Sequence, residues 1–246
     1  MSARKIAVVT GASSGFGAAT ARALQARGFD LVLGARRIDR VREVAAPLGA
    51  RAIGLDVTDP ASVAEFCAGI GEVHLLVNNA GAALGLDRIE DAVEQRWEDM
   101  FELNVMGVLR MTRALLPAIV ASGDGHIVNI GSTAGRETYP GGGGYTASKH
   151  ALRALSQTLR MELLGKPVRV TEIDPGLAET EFSRVRFDGD EARAKAVYQG
   201  LTPLSADDVA DCVAWVVTRP SHVNIDEIVV RPRDQATSTM VHRRPS

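Results

Sequence analysis

The sequence predicts a doubly wound α/β domain, a mostly parallel seven-stranded sheet with helices on both faces. Short apolar, β-branched runs alternate with longer helical patterns along the whole chain. Those runs are apolar throughout rather than alternating, as parallel strands covered on both faces require. A glycine-rich turn follows the first run and opens the first helix. Right-handed crossovers then distribute helices over the two faces. No linker or shift in composition divides residues 1–246, so they read as one domain.

Ile6 to Thr10 is the first strand, and after the turn Ala18 to Arg27 reads as helix. Leu31 to Ala35 is the second strand, Ile38 to Leu48 a helix, and Ala52 to Asp56 the third strand. Ala61 to Ile70 is a short helix, and Pro60 suits its first turn. Val73 to Val77 is the fourth strand, ending in Asn78-Asn79-Ala80-Gly81. A long helical stretch, Ala92 to Val120, is expected to break near Asn104. His126 to Ile130 and Val168 to Ile173 are strands five and six, with the helix Tyr145 to Leu164 between them. Asp207 to Thr218 is a helix and Ile225 to Val230 the last strand. The basic tail, 231–246, is expected to be frayed or pinned by a neighbouring subunit.

The chain is 46% hydrophobic and 24% charged, an ordinary globular composition that excludes disordered and fibrous classes. The charge balance is 28 − 30 = −2, so nothing steers the chain to nucleic acid or to an anionic membrane. Cys67 and Cys212 form no CxxC spacing and read as reduced core thiols. None of the five histidines pairs with another at ligand spacing, so no metal is expected. Apolar runs break after about six residues, and spanning a membrane takes about 20. With no signal-peptide core after Met1, the expected location is the cytoplasm.

The turn between the first strand and helix is Gly11-Ala12-Ser13-Ser14-Gly15-Phe16-Gly17. Glycines permit a tight turn and close backbone approach, and a helix N-terminus offers free N–H groups to a pyrophosphate. A dinucleotide is therefore expected here; a structural turn is the alternative. An NAD site places Asp or Glu about 20 residues further on, against the ribose 2′-hydroxyl. This chain has Arg36-Arg37 there. Guanidinium groups would hold a 2′-phosphate that a carboxylate would repel, so the cofactor expected is NADP(H). Otherwise the arginines are solvated charges opening the next helix. Asp56, with Val57 after the third strand, is placed to accept from an adenine amino group; Asp59 better suits the helix cap before Pro60.

Tyr145 and Lys149 stand four apart and share a helix face. Ser132 lies thirteen residues before Tyr145, just beyond the fifth strand. Alone, a Y-x-x-x-K pair is a common accident. With TGASSGFG at 10–17, NNAG at 78–81, Asn104, Ser132, YTASK at 145–149 and Pro175-Gly176, the chain resembles the short-chain dehydrogenase/reductase family over about residues 5–235. The resemblance implies a Rossmann fold and NADP(H)-dependent hydride transfer between a secondary alcohol and a carbonyl. It makes Tyr145 the general acid/base, its phenol lowered by Lys149 and the oxidised nicotinamide. Lys149 would also hold the nicotinamide ribose, Ser132 the substrate oxygen, and Asn104 a water that passes protons to Lys149. The glycine loop from Gly11 through Ser13, Ser14, Gly15, Phe16 and Gly17 would hold the cofactor with Asn78, Ala80 and Gly81. Pro175, Gly176 and Leu177 would cradle the nicotinamide, and Thr180 its carboxamide or diphosphate.

A narrower resemblance is to the NADP-dependent 3-hydroxy acid dehydrogenases of that family. It is carried by Arg36-Arg37, Gly81-Ala82-Ala83-Leu84-Gly85, Gly131-Ser132-Thr133-Ala134-Gly135 and the segment Glu181 to Asp190. Arg136-Glu137-Thr138 departs from it with more charge, and Ile228 to Gln235 also resembles carbonyl reductases. Residues 177–199 are expected to form a lid whose Arg184 and Arg186 face a substrate carboxylate, both together if the segment is extended, one alone if helical. Pairing with lid carboxylates is the alternative. Family likeness and apolar side chains on several faces of the helices at 97–120 and 145–164 imply a homo-oligomer, a tetramer. A non-catalytic NADP(H) sensor would lack Tyr145 or Lys149. A sugar-nucleotide epimerase would carry more than the 70 or so residues that follow Gly176.

Overall fold

The computed structural model describes residues 4–244, so the first three residues of the expected domain and the last two of its tail lie outside the described residues. The strands are β1 Ile6–Thr10, β2 Asp30–Ala35, β3 Arg51–Gly54, β4 Leu75–Asn78, β5 Gly125–Ile130, β6 Val168–Pro175 and β7 Glu227–Val230. They form one sheet in the order β3-β2-β1-β4-β5-β6-β7. Every pairing is parallel. The winding of the sheet reverses between β1 and β4, where a crevice opens beyond the strand C-termini.

The helices are α1 Gly15–Gln25, α2 Ile38–Ala45, α3 Pro60–Ala68, α4 Glu94–Phe101, α5 Gly107–Ala121, α6 Gly143–Glu162, α7 Phe182–Arg186, α8 Glu191–Ala196 and α9 Ala206–Val217. Strand parity divides the core in two. Ala7 and Val9 of β1 and Val77 of β4 pack with Leu24 of α1, Val41 of α2 and Val213 of α9. Val8 and Leu76, one residue out of step, pack on the other face with Phe66 of α3 and Met111, Leu115 and Ile119 of α5. Burial on both faces is why the strands read as unbroken apolar runs.

Several boundaries differ from expectation. β3 stops at Gly54, leaving Asp56 in a turn, and β6 continues to Pro175 because it still pairs with Val230 of β7. The long helix does not break near Asn104: α4 and α5 are joined by a π-helical turn, Glu102–Met106. The continuous helix Glu94–Ala121 is, by length and composition, apolar enough to cross a membrane. Here it is a core helix, with Met111, Leu115 and Ile119 buried and Arg110 paired to Glu102 at 2.7 Å.

Through residue 244 the tail is not frayed, because its polar groups find partners in their own chain. Gln235 is buried and accepts from the Leu177 N–H at 2.8 Å. Arg231 pairs with Glu137 at 2.7 Å, and Arg244 with Asp234 at 2.7 Å.

Candidate active site

The glycine turn leaves β1 at Gly11, whose φ of +66° only glycine adopts without strain. At Gly17 a Cβ would lie 2.6 Å from Asn79 Nδ2, so α1 seats directly on the segment after β4. Asn79 fastens the two together. Its Nδ2 donates to the Thr10 carbonyl at 2.8 Å and to the Gly11 carbonyl at 3.2 Å, while Thr10 Oγ1 accepts from the Asn79 and Ala80 N–H groups. Ser14 caps α1 without a side-chain bond, and the first turn holds no acid. The helix thus presents open N–H groups and its positive end to the crevice, as a pyrophosphate needs.

A cleft of about 420 Å³ runs from this turn to Tyr145. Gly11, Ser13, Ser14, Gly15, Phe16, Arg36, Arg37, Asp56, Val57, Ala80, Gly81, Lys149 and Thr180 line it. The residues present fit a dinucleotide carrying a 2′-phosphate, with Arg36 and Arg37 at the end remote from Tyr145. Asp56 Oδ1 accepts from the Thr58 N–H at 3.0 Å and hydroxyl at 2.7 Å. Burial pushes Asp56 up, but these bonds and the Arg36 charge outweigh it and hold the carboxyl low.

Two expected cofactor residues lie off the cleft wall. Gly17 sits beneath it, against α1's own foundation. Asn78 is buried as the last residue of β4, and its Nδ2 donates to Asn129 at 2.9 Å and Thr112 at 3.2 Å. Strand parity turns it inward, and Asn79, which the sequence reading passed over, takes the cleft position.

Tyr145 lies near the start of α6, on the wall between this cleft and a second cavity of about 260 Å³. Ser132, Pro175, Gly176, Leu177, Thr180 and Arg186 line the second cavity. Ser132 stands in the same cavity wall as the Tyr145 phenol and favours its anion. Burial raises the phenol's pKa, against Ser132 and the Arg186 charge. The expectation of a lowered phenol joined Lys149 to the oxidised nicotinamide; in the protein chain alone Phe182 packs tilted against the ring with centroids 5.5 Å apart, and desolvation dominates. Lys149 Nζ stands 6.0 Å from the ring centroid and donates to the Ile130 carbonyl at 2.8 Å. Burial lowers it to about 8, against the Glu172 and Asp174 carboxylates.

Asn104 occupies the π turn, and such turns are frequent at functional sites. Its amide grips Ala82 from both ends, accepting from the N–H at 3.0 Å and donating to the carbonyl at 2.9 Å, and it donates to Ser148 at 3.0 Å. The side chain thereby fixes the loop opposite Lys149.

The lid segment carries two short helices, so its two arginines diverge. Arg186 faces the second cavity and its guanidinium carbon stands 5.7 Å from the Tyr145 ring centroid. Its Nε donates to the Gly85 carbonyl at 3.1 Å and Nη2 to the Tyr139 hydroxyl at 2.9 Å. Arg184 points outward and pairs with Glu191 at 3.1 Å, which removes it from the site. Sequence reasoning also missed Tyr139 and Tyr198, both in the cavity wall, and Gln235 from the tail. No local motif marks them, because each arrives from a distant segment.

A family model described as short chain dehydrogenase matches residues 5–191. An uncharacterized oxidoreductase of Mycobacterium tuberculosis H37Rv is 58% identical over 236 residues, 96% of this chain and 94% of that protein. The NADP-dependent 3-hydroxy acid dehydrogenase YdfG of Escherichia coli K12 is 42% identical, over 97% of this chain and all of that one. The closed form of serine dehydrogenase complexed with NADP+ superimposes with a TM-score of 0.92, at 42% identity, over 97% of this chain and all of that one. With the motif residues gathered around one crevice and the whole fold shared with such relatives, this chain belongs to the short-chain dehydrogenase family.

Proposed function

We propose that the protein is an NADP(H)-dependent oxidoreductase that interconverts a secondary alcohol and a carbonyl on a small 3-hydroxy acid. The observation that carries this reading is the position of Tyr145, shared between a dinucleotide cleft and a cavity that contains Ser132 and Arg186. The relatives named for NADP and for 3-hydroxy acids or serine support it. When bound, the nicotinamide supplies or receives the hydride. Ser132 positions the substrate oxygen beside the phenol. Tyr145 gives its proton to that oxygen in reduction and takes it back in oxidation. Its raised pKa keeps the phenol protonated at neutral pH, and Lys149 supplies the nearby cation that eases formation of phenolate as the proton is transferred. Asn104 keeps the Gly81–Ala82 loop at the spacing this requires.

Arg186 is the substrate anchor. It spends Nε and Nη2 on holding itself to Gly85 and Tyr139, and its Nη1 has no hydrogen-bond partner among the described residues. A carboxylate entering the cavity meets that group in a site of low dielectric. The test is a spectrophotometric assay with NADP+ or NAD+ and a panel of 3-hydroxy acids beside their methyl esters. Turnover of the acids with NADP+ and poor turnover of the esters is expected. Equal rates on acids and esters would instead mark a generic carbonyl reductase, the reading favoured by the apolar walls Phe182, Phe187 and Leu86.

A further inference from the structure

Glu181, which immediately precedes α7, makes contacts that the reaction does not use. Its Oε1 accepts from Arg40 Nη1 at 2.7 Å, and its Oε2 from Arg37 Nη2 at 2.8 Å. The same Arg37 nitrogen donates to Ser14 Oγ at 2.9 Å and Ser13 Oγ at 3.1 Å. Two guanidinium groups thus converge on one carboxylate, and two serine hydroxyls surround the Arg37 end of it, at the rim of the dinucleotide cleft that Glu181 itself lines. Arg37 above all holds that carboxyl below its usual range. Such a donor set suits a phosphate monoester, with three oxygens and close to two negative charges, better than a single carboxylate.

We propose that Glu181 is a cofactor-specificity residue: its carboxylate stands in for the cofactor's 2′-phosphate on Arg37 and Arg40, and a cofactor that carries that phosphate displaces it. The inference rests on the NADP(H) reading and adds Arg40 and Glu181 to it. A dinucleotide with a bare 2′-hydroxyl lacks the charge to take the guanidinium groups and leaves the contact in place. A phosphate on Ser13 and Arg37 sets a second anion beside Glu181, and the repulsion releases the carboxylate and with it the start of the lid. Cofactor choice and lid mobility are then coupled through one ion-pair exchange, whose two pairs link the second helix to the lid across 144 and 141 positions.

The experiment uses adenosine 2′,5′-bisphosphate and ADP as probes, which share adenosine and the 5′-phosphate end without nicotinamide. Calorimetric titration of the wild type should show the bisphosphate binding more tightly than ADP. Equal binding there would overturn the NADP(H) reading itself. Glu181→Gln removes the competing charge and should tighten bisphosphate binding roughly three- to tenfold, the scale of two half-exposed ion pairs, with ADP unchanged. Arg40→Ala should weaken the bisphosphate alone. Hydrogen exchange should rise at residues 181–186 when the bisphosphate is added to wild type, and stay level with ADP. If Glu181→Gln leaves bisphosphate binding unchanged or weakens it, or tightens ADP equally, Glu181 is not a competitor for the phosphate and the proposal fails. A wild-type lid that exchanges no faster with the bisphosphate than with ADP overturns the release.

Discussion

The backbone N–H of Ser132 donates to the Asp174 carboxylate at 3.1 Å, tying the end of β5 to the end of β6 directly behind the reacting phenol. Arg136 holds the other oxygen of Asp174 through Nε at 2.6 Å and also pairs with Glu227. Asp174 is fully buried and Glu172 lies beside it, pushed up by burial first and by Asp174 second. Arg136 is the cation that pairs with the buried Asp174 carboxyl group.

Removing Arg136 should be costly for that reason. Arg136→Ala strands a buried carboxylate next to a second acid and should lower stability by roughly 3 kcal/mol, the low end for broken buried pairs because Arg136 keeps some exposure. Adding Asp174→Asn, which retains an acceptor for Ser132, should recover part of the loss. Urea unfolding of the two variants checks this. A double variant no more stable than Arg136→Ala would place the cost at Glu227 or in packing instead.

Tyr145→Phe deletes the transferable proton and keeps the ring against Phe182. Turnover should fall by about 10²- to 10⁴-fold, the usual worth of general acid/base help, while cofactor affinity stays within a few fold. Steady-state rates and a fluorescence titration with NADPH separate the two. Turnover close to wild type would remove Tyr145 from the mechanism.

The two lid arginines should behave differently because only one faces the cavity. Arg186→Ala should reduce kcat/KM for a 3-hydroxy acid about ten- to a hundredfold, the value of one charged hydrogen bond, and affect the methyl ester much less. Arg184→Ala, at an exposed pair with Glu191, should change neither by more than about twofold. Equal losses on acid and ester for Arg186→Ala would show that it braces Gly85 and Tyr139 without touching substrate.

His126 makes the fold sensitive to acid. It is buried on β5, its Nε2 against Thr171 Oγ1 at 2.8 Å. Burial, aided by the Arg169 charge and opposed by Asp124, lowers it from 6.5 to about 3. The unfolded chain binds a proton near pH 6.5 that the folded chain refuses until about pH 3. Stability contributed by the neutral ring is complete above about pH 6.5 and is lost as pH falls towards 3. Between pH 7 and 5 the wild type should lose about 2 kcal/mol more than His126→Gln in urea unfolding, close to 1.4 kcal/mol per pH unit below 6.5. Parallel losses in both proteins would mean that other groups set the acid limit.

Sequence patterns were sufficient to locate all of the strands and to place the glycine turn, Ser132, Tyr145 and Lys149. Strands buried on both faces are apolar at every position, and a four-residue spacing on a helix puts Tyr145 and Lys149 on one face in any context, whereas the glycine turn and Ser132 were marked by motifs of the family the chain resembles. Tertiary structure decided the rest. Whether Asn78 or Asn79 faces the cleft turns on one residue of strand register, since β4 ends at Asn78 and parity sends its side chain inward. Whether Arg184 or Arg186 meets the cavity depends on the lid folding as helix. The sequence-adjacent arginines Arg36 and Arg37 looked alike, yet Arg37 is the one bound to Glu181, because the lid returns across the crevice. The phenol of Tyr145, expected to be lowered by Lys149 and the oxidised nicotinamide together, is raised by burial in the chain alone, where Phe182 from the lid packs against it. Contacts between segments far apart in the chain carry no local periodic signal, so burial and charge pairing at this site are properties of the assembled fold.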